Sequence, residues 1–339
     1  MPPAAHSGHD IIVIGASAGG VEAISKVVAG LPADLPAAVF VVLHVMSTGT
    51  SVLPQILGRV KTLPAEHAVD GDHIEHGRIY VAPPNRHLLV DRGRIHVSTG
   101  PKENGHRPAI DPLFRSAARA YESRVVGVVL SGVLDDGSAG LLNVKMHGGA
   151  TIAQDPEDAL YPSMPANAIA YVRPDLILPL DEIADALVEL AHEPARAELV
   201  QVAAGDSAPH NPGTVDPQPG EPSGFTCPDC GGALWELEEG NLLRFRCRIG
   251  HQYSTQSLFA EQSEAVGTAL WSALRALEER AALNRRISER LAQRGNESSA
   301  MRSERRAQDA DRNSTVLREA LESFEAAREL DIEVGEAQV

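Results

Sequence analysis

The sequence predicts an α/β chain: a mostly parallel sheet covered by helices on both faces, followed by a small cysteine-bearing unit and a pair of long helices. Three observations predict it. From Asp10 to about Glu193, short apolar runs alternate with amphipathic ones. All three cysteines lie between residues 227 and 247. Beyond residue 255, apolar residues recur at helical spacing among Glu and Arg.

The first part reads element by element. IIVIG (11–15) is an apolar run ending in glycine, and VEAISKVVAGL follows with helical spacing. AAVFVVLH (37–44) is a second strand and SVLPQILGRV a second helix. RVVGVVLSG (124–132) and ATIAQ (150–154) are further strands, with GLLNVKMHG a helix between them. DLILPL (175–180) is a late strand before the helix DEIADALVELAH. Continuous apolar strands of this kind are buried on both faces, which is the signature of a parallel sheet. RIYVAP and HLLVDRGRIHVS carry a hairpin signal at DRG, so an antiparallel excursion is expected at one sheet edge.

Residues 194–223 are rich in Pro, Gly, Ser and Asp without periodicity, and read as a flexible linker. Residues 224–254 form the cysteine unit. Residues 255–334 carry apolar positions at Leu258, Val266, Leu270, Leu274, Leu277, Ala281, Ile287 and Leu291, then, after QRGNESS, at Val316, Leu321, Phe324 and Leu330. This predicts an antiparallel helical hairpin or coiled coil, used for homodimerisation or docking.

Composition narrows the function. With 339 residues the chain holds two domains, or one large domain with appendages. Aromatics are scarce at 4%, too few for a platform that stacks bases or sugars. The net charge of -16 opposes nucleic acid and anionic membrane as partners. No apolar stretch approaches the roughly 20 residues that span a bilayer, and MPPAAHSGHD is no export signal. A cytoplasmic location with reduced thiols is expected.

GASAGG (15–20) stands where a strand ends and a helix begins. In G-x-S-x-G the serine is lifted clear of the sheet on a sharp turn, and the helix start favours a developing oxyanion. A glycine-rich turn after a first strand also suits a dinucleotide. Here, however, Ser17 replaces the central glycine, and His44 ends the second strand where an acidic residue would stand. On the turn alone the two readings are level. His44 at the neighbouring strand end favours hydrolysis, with Ser17 as nucleophile and His44 as base. A carboxylate should complete the set, and VVLSGVLDDGSAGL offers Asp135 and Asp136 after another strand. One of the two can cap the following helix while the other orients the imidazole. The order Ser, His, Asp differs from that of α/β-hydrolases.

These residues, together with RIYVAPPNRHLLV, RPAIDPLFRSAA and ATIAQDPEDALYPSMPANAI, resemble the catalytic domain of chemotaxis-receptor methylesterases, the CheB type, from about Asp10 to His192. The resemblance implies a doubly wound α/β sheet over residues 1–193. It implies hydrolysis of glutamyl methyl esters on receptor signalling helices, with glutamine deamidation as a second activity and no cofactor for catalysis. It assigns Ser17 as nucleophile, His44 as base and Asp136 as orienting acid. It also offers the Val133 backbone N–H to the oxyanion. Ala18 stands where a Thr is common, Asp135 where Asn is usual, and Val133–Leu134 where Met-Gly is common. Only ten residues precede the first strand, so no receiver domain is expected before it. The expected partner is a methyl-accepting receptor or another methylated signalling protein.

Cys227, Cys230, Cys247 and His251 follow the pattern C-x2-C, sixteen intervening residues, C-x3-H. That is zinc-ribbon spacing, and four filled ligand places predict a structural rather than catalytic Zn²⁺. The segment with its helices resembles a C-terminal extension of stand-alone CheB-like proteins.

No role is expected for the other histidines; His67, His73 and His76 read as solvated loop residues. Arg107 and Arg115 read as partners of acidic neighbours. Two other function classes fit parts of the sequence. One is a non-catalytic scaffold docking through the esterase-like domain and helices. The other is a nucleotide-binding oxidoreductase.

Overall fold

In a computed structural model, residues 8–45, 49–59, 62–195 and 220–337 are described. They fall into two units, one reaching to Leu258 and the other spanning Phe259–Gln338. Most of the expected linker, 196–219, lies outside the described residues.

The first unit opens with β1 (Ile11–Ala16), α1 (Gly20–Gly30), β2 (Ala38–Leu43), α2 (Leu53–Gly58), β3 (Ala65–His67) and β4 (Ile79–Val81). Next come β5 (His87–Asp91), β6 (Arg94–Ser98), α3 (Ile110–Tyr121), β7 (Val125–Val129) and α4 (Ser138–Met146). β8 (Ala150–Gln154), α5 (Ser163–Val172), β9 (Leu176–Leu178) and α6 (Leu180–His192) complete the α/β part. Seven strands form one sheet in the order β3-β4-β2-β1-β7-β8-β9. Every pairing in it is parallel. All six residues of β1 and of β2 are buried, as strands covered on both faces must be.

The two faces bury separate cores. On one, Ile24 and Val28 of α1, Leu57 of α2 and Ile183 and Leu187 of α6 pack on Ile12, Ile14, Val39 and Val41. On the other, Phe114 of α3, Leu141 of α4 and Met164 of α5 pack on Ile11, Val13, Phe40 and Val42. Strand order reverses between β1 and β7, so the carboxyl ends of β1, β2 and β7 border one crevice, the usual ligand position in such sheets.

The expected antiparallel excursion is not part of this sheet. β5 and β6 form a separate two-stranded ribbon, turning at Arg92-Gly93, where Gly93 has φ 75°. Leu88, Val90 and Ile95 join the core beneath α3, and the Val90 N–H donates to Ser116 Oγ at 3.0 Å. Burial against a helix replaces pairing with the sheet edge.

The cysteine unit is a four-stranded antiparallel sheet: β10 (Glu221–Thr226), β11 (Ala233–Glu239), β12 (Leu242–Cys247) and β13 (Gln252–Ser254). Its small core joins Leu234, Phe245, Tyr253 and Leu258 to the cysteines.

The second unit contains most of α7 (Thr255–Gln293) and α8 (Glu297–Ala337). Trp271 donates to Glu325, and the pairs Glu278–Arg318 and Arg285–Asp311 follow at seven-residue steps, as antiparallel helices require. The seam differs from expectation. It buries Leu274, Ala281, Ala300, Ala307 and Leu321, while Val266, Ile287 and Val316 are 47%, 40% and 63% exposed. Small alanines let the two backbones approach, and the β-branched residues are left outside the contact.

Candidate active site

Ser17 follows the last residue of β1. The turn is held by the Ser17 N–H donating to the Ser131 carbonyl at 3.0 Å and the Gly20 N–H donating to the Ser17 carbonyl at 2.9 Å. Gly19 has φ 70°, which a residue with a Cβ adopts only at a cost. Gly132 passes so close that a Cβ there would stand 2.9 Å from Ser17 Cβ. Small residues therefore set how the serine stands clear of the sheet.

His44 follows β2, its N–H donating to the Ala16 carbonyl at 3.2 Å. Nδ1 lies 3.1 Å from Ser17 Oγ, and Nε2 lies 2.7 Å from Asp136 Oδ2. Relative to chymotrypsin the ring is turned end for end: there Nε2 meets the serine and Nδ1 the aspartate. The chemistry is unchanged, since Nε2–H donates to the carboxylate and the Nδ1 lone pair faces the hydroxyl. His106 lies flat against the ring, with centroids 3.7 Å apart and planes 15° apart. Burial and the neighbouring His44 push the His106 imidazole down to about 4.

Asp136 is buried and densely bonded. Oδ2 accepts from the Ile110 N–H at 2.7 Å, and Oδ1 from Asn104 Nδ2 at 2.8 Å and the Gly137 N–H at 3.0 Å. Burial alone would raise this carboxyl. The His44 bond, the charge on that ring and the Ile110 N–H outweigh it and hold Asp136 well below the usual carboxylate range. Asp135 points elsewhere, accepting from Ser254 Oγ at 2.6 Å, and burial raises it to about 6.

Neither aspartate accepts from an amide within α4 itself, contrary to the sequence expectation, although Asp136 Oδ1 meets the Gly137 N–H just before it. Gly137 occupies the N-cap position, and Asp111 of α3 reaches across, its Oδ1 accepting from the Gly137 N–H at 3.0 Å and the Gly140 N–H at 2.7 Å. The buried start of α4 needs an acceptor for those amides, and a carboxylate from the adjoining helix supplies it. The local sequence gives no role to Asn104, His106 or Asp111. ENGH reads as a turn and the start of IDPLF as ordinary helix. The one local hint is Asn104 itself, with φ 51° in a region that favours asparagine.

The four predicted metal-ligand residues converge. Their ligand atoms lie within 4.8 Å of one another and can hold a metal ion. Cys227 Sγ and Cys247 Sγ lie 3.7 and 3.5 Å from His251 Nδ1, and Cys230 Sγ lies 3.7 Å from Cys247 Sγ. A tetrahedron with metal–sulfur bonds of about 2.3 Å has edges of about 3.7 Å. Burial pushes the Cys227 thiol up to about 12, a rise that a bound cation would oppose.

Three surface expectations change. His67 sits on β3 with Nε2 3.1 Å from the Ser51 carbonyl, and His76 Nε2 lies 3.2 Å from the buried Asp10. Neither is a free loop histidine. Arg115 pairs with Glu103 at 2.7 and 2.9 Å, as expected of an acidic partner. Arg107 instead donates to Asn85 Oδ1 and the Gly100 carbonyl.

Serine, histidine and carboxylate thus stand in a hydrogen-bonded line at the strand ends of a doubly wound parallel sheet. The chain belongs to the CheB methylesterase family, whose pattern matches residues 12–187. It is similar to a protein-glutamate methylesterase/protein-glutamine glutaminase 2 of Methanosarcina acetivorans, 39% identical over 189 residues, 53% of each protein. The chain thus spans about half the length of that relative. It also resembles a putative protein-glutamate methylesterase/protein-glutamine glutaminase of Leptospira interrogans, 35% identical over 54% of this chain and 95% of that protein. The crystal structure of the Thermotoga maritima CheB methylesterase catalytic domain aligns with TM-score 0.51 and 34% identity. That alignment covers 53% of this chain and 98% of the other.

Proposed function

We propose that this protein hydrolyses glutamyl methyl esters on the signalling helices of chemotaxis-type receptors or other methylated signalling proteins. The observation that carries the reading is the line Ser17–His44–Asp136, with bonds of 3.1 and 2.7 Å at adjacent strand ends, in a chain of this family. Ser17 Oγ attacks the ester carbonyl as its proton passes to His44 Nδ1. That proton leaves with the alkoxide as methanol. Water then attacks the acyl-enzyme, gives its proton to His44, and releases the glutamate and Ser17. Asp136 fixes the ring through Nε2–H and stabilises the imidazolium. The Ser17 N–H is bonded to Ser131, so the oxyanion donor must come from another backbone group, and we assign it to Val133 beside Gly132.

Val133, Leu160 and Tyr161 are exposed apolar residues on the loops near Gly132 and Gly19, suited to the apolar flank of a receptor helix. Glutamine deamidation, which the relatives' names include, follows the same steps with ammonia leaving. The Cys₃His cluster takes a structural Zn²⁺, and the hairpin serves homodimerisation or docking. No helix among the described residues is long and apolar enough to cross a membrane, and we place the activity in the cytoplasm. Incubation with a methylated receptor fragment tests the reading. Methanol release that disappears in Ser17→Ala is expected; equal release by that variant would refute it.

A further inference from the structure

The cysteine ribbon does not stand apart from the site. The Ser254 N–H and Ser257 Oγ–H donate to Asn104 Oδ1 at 2.9 and 3.1 Å. With its carbonyl fixed, the Asn104 amide can only turn its nitrogen inward. There it donates to Asp136 at 2.8 Å and to Asp111 Oδ2 at 3.0 Å. The backbone agrees: the Asn104 N–H donates to the Gln252 carbonyl at 2.7 Å.

Arg244 of β12 makes a second connection. It is 1% exposed, and Nη1 donates to Asp111 Oδ2 at 2.6 Å. Glu103 and Glu239 lie 3.7 and 4.0 Å from the same guanidinium, while Arg115 holds Glu103 from the other side. Asp111 and Asp136 share one amide and both are buried. Burial raises the Asp111 carboxyl, and Arg244, which comes from outside the α/β part of the unit, opposes that rise.

We propose that the ribbon is a working part of the active site, in which Ser257 and Arg244 are positioning residues that, through Asn104 and Asp111, keep Asp136 aimed at His44. The proposal rests on the hydrolase reading of Ser17. It makes the metal cluster a controlling element, since Arg244 lies three residues before Cys247 and Ser254 three after His251. A seated ribbon keeps the line competent, and an unseated one frees Asn104 and Asp111 to turn away from Asp136.

The test compares full-length protein with Arg244→Met, Arg244→Lys and Ser257→Ala. Three readouts are taken: the rate of Ser17 phosphonylation by a fluorophosphonate, the deshielded imidazole proton of the His44–Asp136 bond by NMR, and thermal melting. Arg244→Met is expected to react on the order of 10- to 100-fold more slowly, with its imidazole proton moved or lost. Arg244→Lys restores much of both signals. Ser257→Ala, which melts near the wild type, slows several-fold. Wild-type rate and imidazole resonance in a folded Arg244→Met would overturn the proposal. If that variant does not fold, the same two wild-type signals in Ser257→Ala overturn it. An unreactive wild type would instead defeat the hydrolase reading, and the imidazole resonance would still report on the ribbon.

Discussion

His106 lies flat on His44, ring on ring, with centroids 3.7 Å apart. A second imidazolium in that position would oppose the positive charge that His44 must take up during proton transfer. Burial keeps His106 neutral, its imidazole pushed down to about 4. The folded protein therefore binds this proton less readily than the unfolded chain. The contribution to stability is unaffected above pH 6.5 and becomes increasingly unfavourable as the pH falls from 6.5 toward 4. His106→Gln should lose less stability than the wild type over that window, by roughly 2 kcal/mol after allowance for residual solvent. Denaturant unfolding at pH 7 and pH 4.5 checks this, and parallel losses in the two proteins would count against a buried neutral His106.

The two adjacent aspartates should behave differently. Asp136→Asn removes the acceptor that fixes the imidazole tautomer, and ester hydrolysis should fall by about 10³- to 10⁴-fold. Asp135→Asn keeps an acceptor for Ser254 and should change the rate less than about tenfold. Asp135 is raised by burial to about 6, so its ionisation costs stability as the pH rises from 4 through 6. Asp135→Asn should accordingly gain on the wild type at pH 8 relative to pH 4. Initial rates and melting curves of both variants decide the matter, and equal loss of activity in the two would contradict the geometry.

Gly132→Ala places a Cβ 2.9 Å from Ser17 Cβ and 2.7 Å from Met164 Cε. The methionine can swing aside, but the serine sits on a bonded turn. Ser17 should shift by a few tenths of an ångström or more, with a loss on the order of 10- to 100-fold in kcat/KM and a melting change of only a few degrees. An unchanged rate would mean that the elbow tolerates the methyl group.

Much of this was readable in the sequence, for identifiable reasons. IIVIG and AVFVVL are strands buried on both faces, and such strands show as unbroken apolar runs. Ser17 and His44 announced themselves because each directly follows such a run. Asp136 did not, since Asp135 beside it has the same local chemistry; the family resemblance chooses Asp136, and in the structure the long-range contacts of Asn104, Ile110 and His44 separate the two. β3 and β4, at three residues each, are too short to carry a period. Arg244 reads as one of the alternating charges of LLRFRC, and nothing local shows that its face is covered by Asp111, 133 residues away.

Metal removal should act on the ribbon first. With a strong chelator present, the three cysteines should become reactive toward a thiol reagent while the α/β sheet keeps its far-ultraviolet signal. Added Zn²⁺ should protect them again. Full thiol reactivity in the untreated protein, with metal content confirmed as zero, would contradict a resident ion.

Ser17, His44 and Asp136 act as one nucleophilic unit, which intact mass and peptide mapping after exposure to a fluorophosphonate put to the test. A single adduct per chain is expected, on Ser17, abolished in Ser17→Ala and strongly slowed in His44→Ala. No adduct on the wild type, or the same adduct persisting in Ser17→Ala, would contradict it.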